Sequence, residues 1–321
     1  MKIGVIMGVM SSEKAVSLKT GKAMVDTLKN LDYEVCEIVI NRKEDIFNLP
    51  KIDFALLALH GKFGEDGSLQ NYLEMLDIPY SGCNAVSSAI CMDKNITKKM
   101  LKASGIPTAN WTTIKNLTEE ELEKAYALEY PVFVKPNSGG SSVATFKVKS
   151  KEDLIPAVKE ALKWDIEVMV EEFMPGEEIT CAMINGKVLP IIKIDAKGEF
   201  FDLASKYNDG GADEYAVTFD KDTQEKINKI CVDTWNTLGC EVYSRVDIIM
   251  NENSMNVLEV NTLPGLTPAS LFPKSAKAYG MSMEELIDTV IRLSFEKRME
   301  AKQKKESFVE MERKLGMSSQ Q

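Results

Sequence analysis

Over residues 1–92, short apolar runs alternate with segments of helical pattern. Lys2 to Met7, Tyr33 to Ile40 and Phe54 to Leu59 read as strands, and Ser17 to Asn30 and Ser68 to Leu76 as helices. This order predicts an α/β layer wound on a parallel sheet, with the opening run as a buried strand. The loops Gly8 to Glu13 and His60 to Gly67 leave the carboxyl ends of strands, where open α/β sheets bind ligands. Neither carries G-x-G-x-x-G, so a nicotinamide-binding domain has little support.

From Asp93 the pattern changes. A lysine-rich helix over Asp93 to Ala103 stops at Gly105-Ile106-Pro107, and Thr118-x-x-Glu121 has the spacing of a capping box. Pro131 to Val148 places a Gly, Ser and Asn loop between two β-rich runs, which predicts a hairpin. Ile166 to Phe173 is a further strand stopped by Pro175-Gly176. Several strands follow to about Pro273. Ser282-x-x-Glu285 then opens a long amphipathic helix carrying Leu286, Ile287, Val290, Ile291 and Phe295, and the charged stretch after Lys297 is expected to be a partly frayed helical tail.

Composition narrows the function classes. Lys plus Arg is 39 against 49 Asp plus Glu, a net charge of −10 that argues against nucleic acid as the main ligand. The longest apolar run, Ile3 to Met10, is short and interrupted by glycines, so neither a membrane span nor a secretion signal is expected. The six cysteines show no C-x-x-C spacing, so reduced thiols in the cytoplasm are expected, and the single histidine, His60, excludes a multi-histidine metal site within the chain.

Two segments carry candidate chemistry. Asn137 to Ser142 offers unobstructed backbone N–H groups and two hydroxyls beside Lys135. Such a loop suits anionic oxygens, although a mobile turn has the same composition. Val242 to Met250 and Asn256 to Asn261, joined by Asn251 to Ser254, read as paired strands. Alternation puts Arg245 with Asp247 and Glu259 with Asn261 on shared faces. These oxygen ligands suit magnesium, whereas an Arg–Asp ion pair on a solvent-facing sheet explains them equally well.

Taken together, the segments resemble a known family. Val134-Lys135-Pro136 with Gly139 to Val143, Val170 to Glu178, Ser244 to Asp247 and Leu258 to Thr267 resemble the ATP-grasp superfamily. Ser11-Ser12-Glu13, Leu59-His60-Gly61, Gly64 to Gly67 and Met92-Asp93-Lys94 narrow the resemblance to the D-alanine:D-alanine ligases, in the family's order from residue 1 to about 295. The resemblance implies an ATP-grasp fold with an N-terminal parallel-sheet α/β domain. It divides the chain into an N-terminal substrate domain at 1–92, a small subdomain with the lysine hairpin at 93–173, a metal-binding domain at 174–300 and a charged tail at 301–321.

It also implies ATP-dependent joining of two D-alanines through an acyl phosphate, for peptidoglycan precursor synthesis, by a cytoplasmic homodimer. Rival implications are D-serine or D-lactate as second substrate, or a non-catalytic nucleotide-binding homologue. By resemblance, Lys94 and Lys135 hold ATP phosphates and Ser141 closes over the γ phosphate. Glu171, Glu172, Met174 and Glu178 read adenine and ribose, and Lys206 and Tyr207 close a second loop. Asp247, Glu259 and Asn261 hold two magnesium ions, for which manganese can substitute. Glu13 receives the first D-alanine's ammonium, with His60 nearby, while Ser270 and the Leu271 backbone take the second's carboxylate. Arg245 and the backbone near Gly265 stabilise the reacting centre. The chain departs from the family pattern at Val9 and Ala144, where glycine is usual.

Overall fold

The computed structural model describes residues 1–8, 13–196 and 211–314, with the backbone alone at 305 and 308–314. Strands β1 (Lys2–Gly8), β2 (Glu34–Ile40) and β3 (Phe54–Leu57) form a parallel sheet in the order β2-β1-β3. Ile3, Val5 and Ile6 are wholly buried, because helix α1 (Lys14–Leu28) packs on β1. The strand expected to reach Leu59 ends at Leu57, yet the Ala58 N–H still donates to the Ile6 carbonyl at 2.8 Å, so the chain stays in line until His60 turns away. Ser17 of α1 fastens both loop-bearing strand ends: its hydroxyl accepts from the Gly8 N–H at 2.9 Å and donates to the Ala58 carbonyl at 2.7 Å.

Helices α2 (Ser68–Met75), α3 (Ala85–Met92) and α4 (Lys94–Ala103) lead out of this layer. The Asp93 carboxylate caps α4 by accepting from the Ile96 N–H at 2.9 Å, which sets Lys94 and Lys98 one turn apart on the same face. A four-stranded antiparallel sheet follows, made of β4 (Trp111–Ile114), β5 (Val132–Pro136), β6 (Phe146–Val148) and β7 (Val168–Glu172) in the order β4-β7-β5-β6. It shares a core with α5 (Glu119–Tyr126) and α6 (Leu154–Ala161). The Thr118–Glu121 capping box opens α5 as its spacing predicts.

The third sheet contains β8 (Glu177–Ile184), β9 (Lys187–Val188), β10 (Ile191–Ala196), β11 (Ala212–Val217), β12 (Tyr243–Met250) and β13 (Met255–Asn261). Its path is β11-β10-β8-β12-β13, with β9 on β8. Helix α7 (Lys221–Thr237) covers one face, where Ile227, Cys231 and Trp235 pack with Leu101, Ile179 and Val246. Helix α8 (Leu271–Tyr279) and the first half of α9 (Met283–Lys314) close onto the N-terminal core through Phe272, Leu286, Ile287, Val290 and Ile291.

Helix α9 continues to Lys314, and the rest of the charged stretch lies outside the described residues. Its charged part starts from an anchored turn. Arg298 donates to Glu241 at 2.6 Å and to the Gly82 carbonyl at 2.7 Å, and its guanidinium lies 4.2 Å from the Tyr80 ring centre.

Replacing Ser17 with Ala leaves a buried N–H and a buried carbonyl without their shared hydroxyl, which costs about 1–3 kcal/mol. Urea unfolding of Ser17→Ala is expected to show a lower midpoint with an unchanged slope. A midpoint equal to wild type would remove this stitch from the account.

Candidate active site

Two adjoining cavities lie between the sheets. The first, of about 380 Å³, is bounded by β5, β7, the loop after β5 and the edge of the third sheet, and has Lys135, Glu171, Glu172, Met174 and Glu178 in its wall. The second, of about 550 Å³, is bounded by Glu13, His60, Arg245, Gly265, Ser270 and Leu271, among others. They meet at Lys94, Gly139, Gly140, Ser141 and Glu259, which belong to both walls.

The floor of the first cavity is a buried charge cluster. Glu171 is 2 % exposed; the Lys135 ammonium hydrogen-bonds one carboxylate oxygen, and Lys98 lies 2.9 Å from the other as an ion pair. Burial alone would raise the Glu171 pKa, but the two ammonium groups beside it hold it down to about 2. Burial lowers the Lys98 pKa against the pull of Glu171, and the Lys98 ammonium also donates to the Thr108 hydroxyl at 2.7 Å. Lys135 therefore points into the cavity from a fixed base.

The loop after β5 forms the roof. Ser141, Ser142 and Ala144 all adopt left-handed backbone, with φ of 53°, 56° and 52°. Each costs on the order of 1 kcal/mol without glycine's freedom, so Ala144 carries strain where the family pattern has glycine. The Ser141 hydroxyl donates to the Glu13 carboxylate, and Lys94 donates to the Gly139 carbonyl at 2.5 Å while lying 3.5 Å from Glu259. The roof thus touches both the N-terminal layer and β13.

Between the cavities the paired strands bring the expected ligands together. Arg245 stands opposite Asn261, and Asp247 opposite Glu259, before the register shifts beyond Asp247. Asp247 is 3 % exposed and accepts from Thr180 at 2.5 Å, from Arg245 at 2.9 and 2.8 Å, and from the Asn261 amide at 3.1 Å. The ion pair that one sequence reading offered is present, but it is buried rather than solvent-facing. Asp247 lies behind the cavity walls, whereas Glu259 and Asn261 face the second cavity. Glu259 and Asn261 offer the cavity oxygens that a hard cation can share with phosphate and water, whereas the Asp247 carboxylate is turned to Arg245, Thr180 and Asn261, and among the described residues no three acidic, histidine or cysteine side chains converge on one metal position.

In the second cavity His60 is 8 % exposed, with Nε2 3.0 Å from the Thr20 hydroxyl. Burial, with the nearby Arg245 charge, lowers its pKa to about 4, so the ring is neutral at pH 7. Ser270 begins α8, its hydroxyl 2.8 Å from that of Thr267, and a Cβ on Gly265 would come within 3.0 Å of the Ser270 hydroxyl and 3.7 Å of the His60 ring. Glycine there keeps this wall open. Lys206 and Tyr207 lie outside the described residues, as does Val9.

Sequence reasoning singled out Glu65 only as part of a motif and passed over Lys98, Thr20 and Thr180. Glu65 is half-buried in the wall of the second cavity and accepts from the Gly61 N–H at 2.5 Å. Burial, with Glu13 nearby, raises its pKa to about 8. The helical spacing of Lys98 from Lys94 was the available signal for that lysine. Thr20 and Thr180 gave none.

Comparison with known proteins agrees with this geometry. The family model for the D-ala D-ala ligase C-terminus matches residues 100–292, and that for the N-terminus matches residues 42–83. The chain belongs to the D-alanine–D-alanine ligase family. A D-alanine–D-alanine ligase of Clostridium perfringens is 54 % identical over 295 residues, covering 92 % of this chain and 98 % of that protein. The crystal structure of the Bacillus anthracis ligase complexed with ATP has a TM-score of 0.84 at 44 % identity, over 94 % of this chain and 99 % of that one. That of the VanG D-Ala:D-Ser ligase from Enterococcus faecalis has a TM-score of 0.81 at 31 % identity, over 91 % and 99 %. Among the described residues no helix of this family member is long and apolar enough to cross a membrane.

The Glu65 shift has a measurable consequence. Its folded pKa of about 8 lies above the ordinary 4.5, so from about pH 4.5 to 8 the unfolded chain sheds a proton that the folded chain keeps. Stability is full below the ordinary value and falls as pH rises through this window. Glu65→Gln is expected to be increasingly more stable than wild type from pH 5 to 8 in denaturant titrations, with the gap level above pH 8. Parallel stability curves for the two proteins would refute the raised pKa.

Proposed function

We propose that the chain joins two D-alanine molecules at the expense of ATP, giving D-alanyl-D-alanine for peptidoglycan precursors, ADP and phosphate. The observation that carries this reading is the junction of the two cavities at Lys94 and Glu259, which lets a phosphoryl group on one side meet a carboxylate on the other. Lys94 and Lys135 bear the phosphates and Ser141 the terminal one, while Glu171, Glu172, Met174 and Glu178 receive the adenine and ribose. Lys206 joins them from outside the described residues.

Glu13 takes the ammonium of the first D-alanine, and the neutral His60 helps to orient it. The carboxylate of that D-alanine attacks the terminal phosphorus and displaces ADP to give an acyl phosphate, because a free carboxylate oxygen is a poor leaving group and phosphate is a good one. Ser270 and the Leu271 N–H hold the second D-alanine, whose amine attacks the acyl carbon and expels phosphate. Arg245 and backbone N–H groups near Gly265 receive the developing negative charge. No protein nucleophile is needed. The Gly/Ser roof keeps water from the acyl phosphate, and Tyr207, to which the resemblance gives the same duty, lies outside the described residues.

Asp247, Glu259 and Asn261 are the residues to hold two magnesium ions, or manganese in their stead, which when bound neutralise charge on the phosphates. The six cysteines are all free thiols, in keeping with a cytoplasmic enzyme. A homodimer is the assembly that the family reading implies, and Phe47, Met75 and Leu76 are exposed apolar side chains of the N-terminal layer open to such a contact. D-Serine as second substrate is the weaker reading, since the D-Ala:D-Ser ligase neighbour is 31 % identical against 54 % for the Clostridium perfringens D-alanine–D-alanine ligase.

The test is incubation with ATP, magnesium and D-alanine, alone or with D-serine or D-lactate, with products identified by mass. D-Alanyl-D-alanine is expected to predominate in every mixture; a mixed product in excess would overturn the substrate assignment. Glu259→Gln is expected to lower turnover by about 100-fold or more while the protein stays folded. Near-normal turnover in that variant would remove Glu259 from the metal set.

A further inference from the structure

Asp165 lies in the turn between α6 and β7, with its carboxylate side chain only 6 % exposed. Oδ2 accepts from the Ser138 N–H at 2.6 Å, and Oδ1 accepts from the Ile166 N–H at 2.8 Å and from the Lys62 ammonium at 3.2 Å. One carboxylate therefore ties the root of the Gly/Ser roof to the loop His60–Gly67.

Both ends of this tie are anchored. At the roof, the Asn137 N–H donates to the Glu167 carbonyl at 3.0 Å, its side chain accepts from the Asn95 N–H at 2.9 Å, and its own carbonyl accepts from the Lys94 N–H at 3.2 Å. At the other end, Lys62 follows Gly61, whose N–H is bonded to Glu65, and His60 stands one residue further back. The N-terminal layer also meets the roof at its tip, where Ser141 bonds Glu13. Glu13, however, has to receive the substrate ammonium, so that contact competes with ligand. Lys62 and Asp165 line neither cavity and have no such competing duty.

We propose that the Lys62–Asp165 ion pair couples the two binding sites: nucleotide settling the roof also fixes the His60–Gly67 loop, and D-alanine fixing that loop also settles the roof. This rests on the ligase reading and adds positioning residues to it. The coupling is a binding free energy and is therefore reciprocal.

The experiment measures binding of a non-hydrolysable ATP analogue with and without saturating D-alanine, which needs no turnover. In wild type, D-alanine is expected to tighten analogue binding. In Lys62→Met, which keeps the aliphatic stem and drops the charge, that enhancement is expected to shrink by about threefold, the scale of a part-exposed ion pair. Lys62→Arg restores it. Added sodium chloride reduces the wild-type enhancement toward the Lys62→Met value and changes the variant little. No enhancement in wild type, or one that is equal in Lys62→Met, would overturn the coupling. Failure of wild type to form any dipeptide would instead count against the ligase reading, so the two failures are separate.

Discussion

The Asp247 carboxylate sits in the middle of a central strand of the third sheet and is kept there by donors from Arg245, Thr180 and Asn261. A buried carboxylate that loses such a partner costs about 3–5 kcal/mol. The three strands that supply these groups, β8, β12 and β13, are thereby held to one register. That register aims Arg245 and Asn261 into the second cavity and sets Glu259 where both cavities meet. Glu171 does the same for the other sheet: sealed between Lys98 and Lys135, it fixes the base from which Lys135 reaches the first cavity.

The molecule thus has two charged floors beneath a Gly/Ser roof. Both floors are charge-paired within the protein before phosphate charge arrives, and Asp247 has to yield part of its pairing with Arg245 and Asn261 to take a cation. The roof is the opposite kind of structure. Three left-handed residues other than glycine, Ser141, Ser142 and Ala144, leave it strained between Glu13, Lys94 and its root at Asn137 and Ser138. Rigid floors with a strained lid suit a reaction whose intermediate must be kept from water.

Much of this was legible in the chain. Periodicity marked the parallel layer, the capping box at Thr118 and the hairpin at Lys135, because those signals are local. The strand pair at Arg245–Asp247 and Glu259–Asn261 could be paired by alternation alone, but its enclosure could not, since α7 packs on the opposite face and the charged face is walled by Glu13, His60 and the roof from distant parts of the chain. The partners Thr180 and Thr20 were invisible for the same reason: a threonine carries no sign of what lies across a sheet or beneath a helix. The charged stretch of α9 starts from Arg298, whose partners Glu241 and Gly82 lie at great sequence distance and could not be read from the chain. Lys206 and Tyr207 stay expectations of the family resemblance, beyond the described residues.

In the proposed reaction the joined cavities pass a phosphoryl group onto a D-alanine carboxylate. Its most direct test is turnover with D-alanine carrying oxygen-18 in both carboxylate positions, followed by mass analysis of the released phosphate. An acyl phosphate whose carbonyl is attacked by the second amine leaves its bridging oxygen on phosphate, so one labelled oxygen per phosphate is the predicted result. Phosphate free of label would contradict the account.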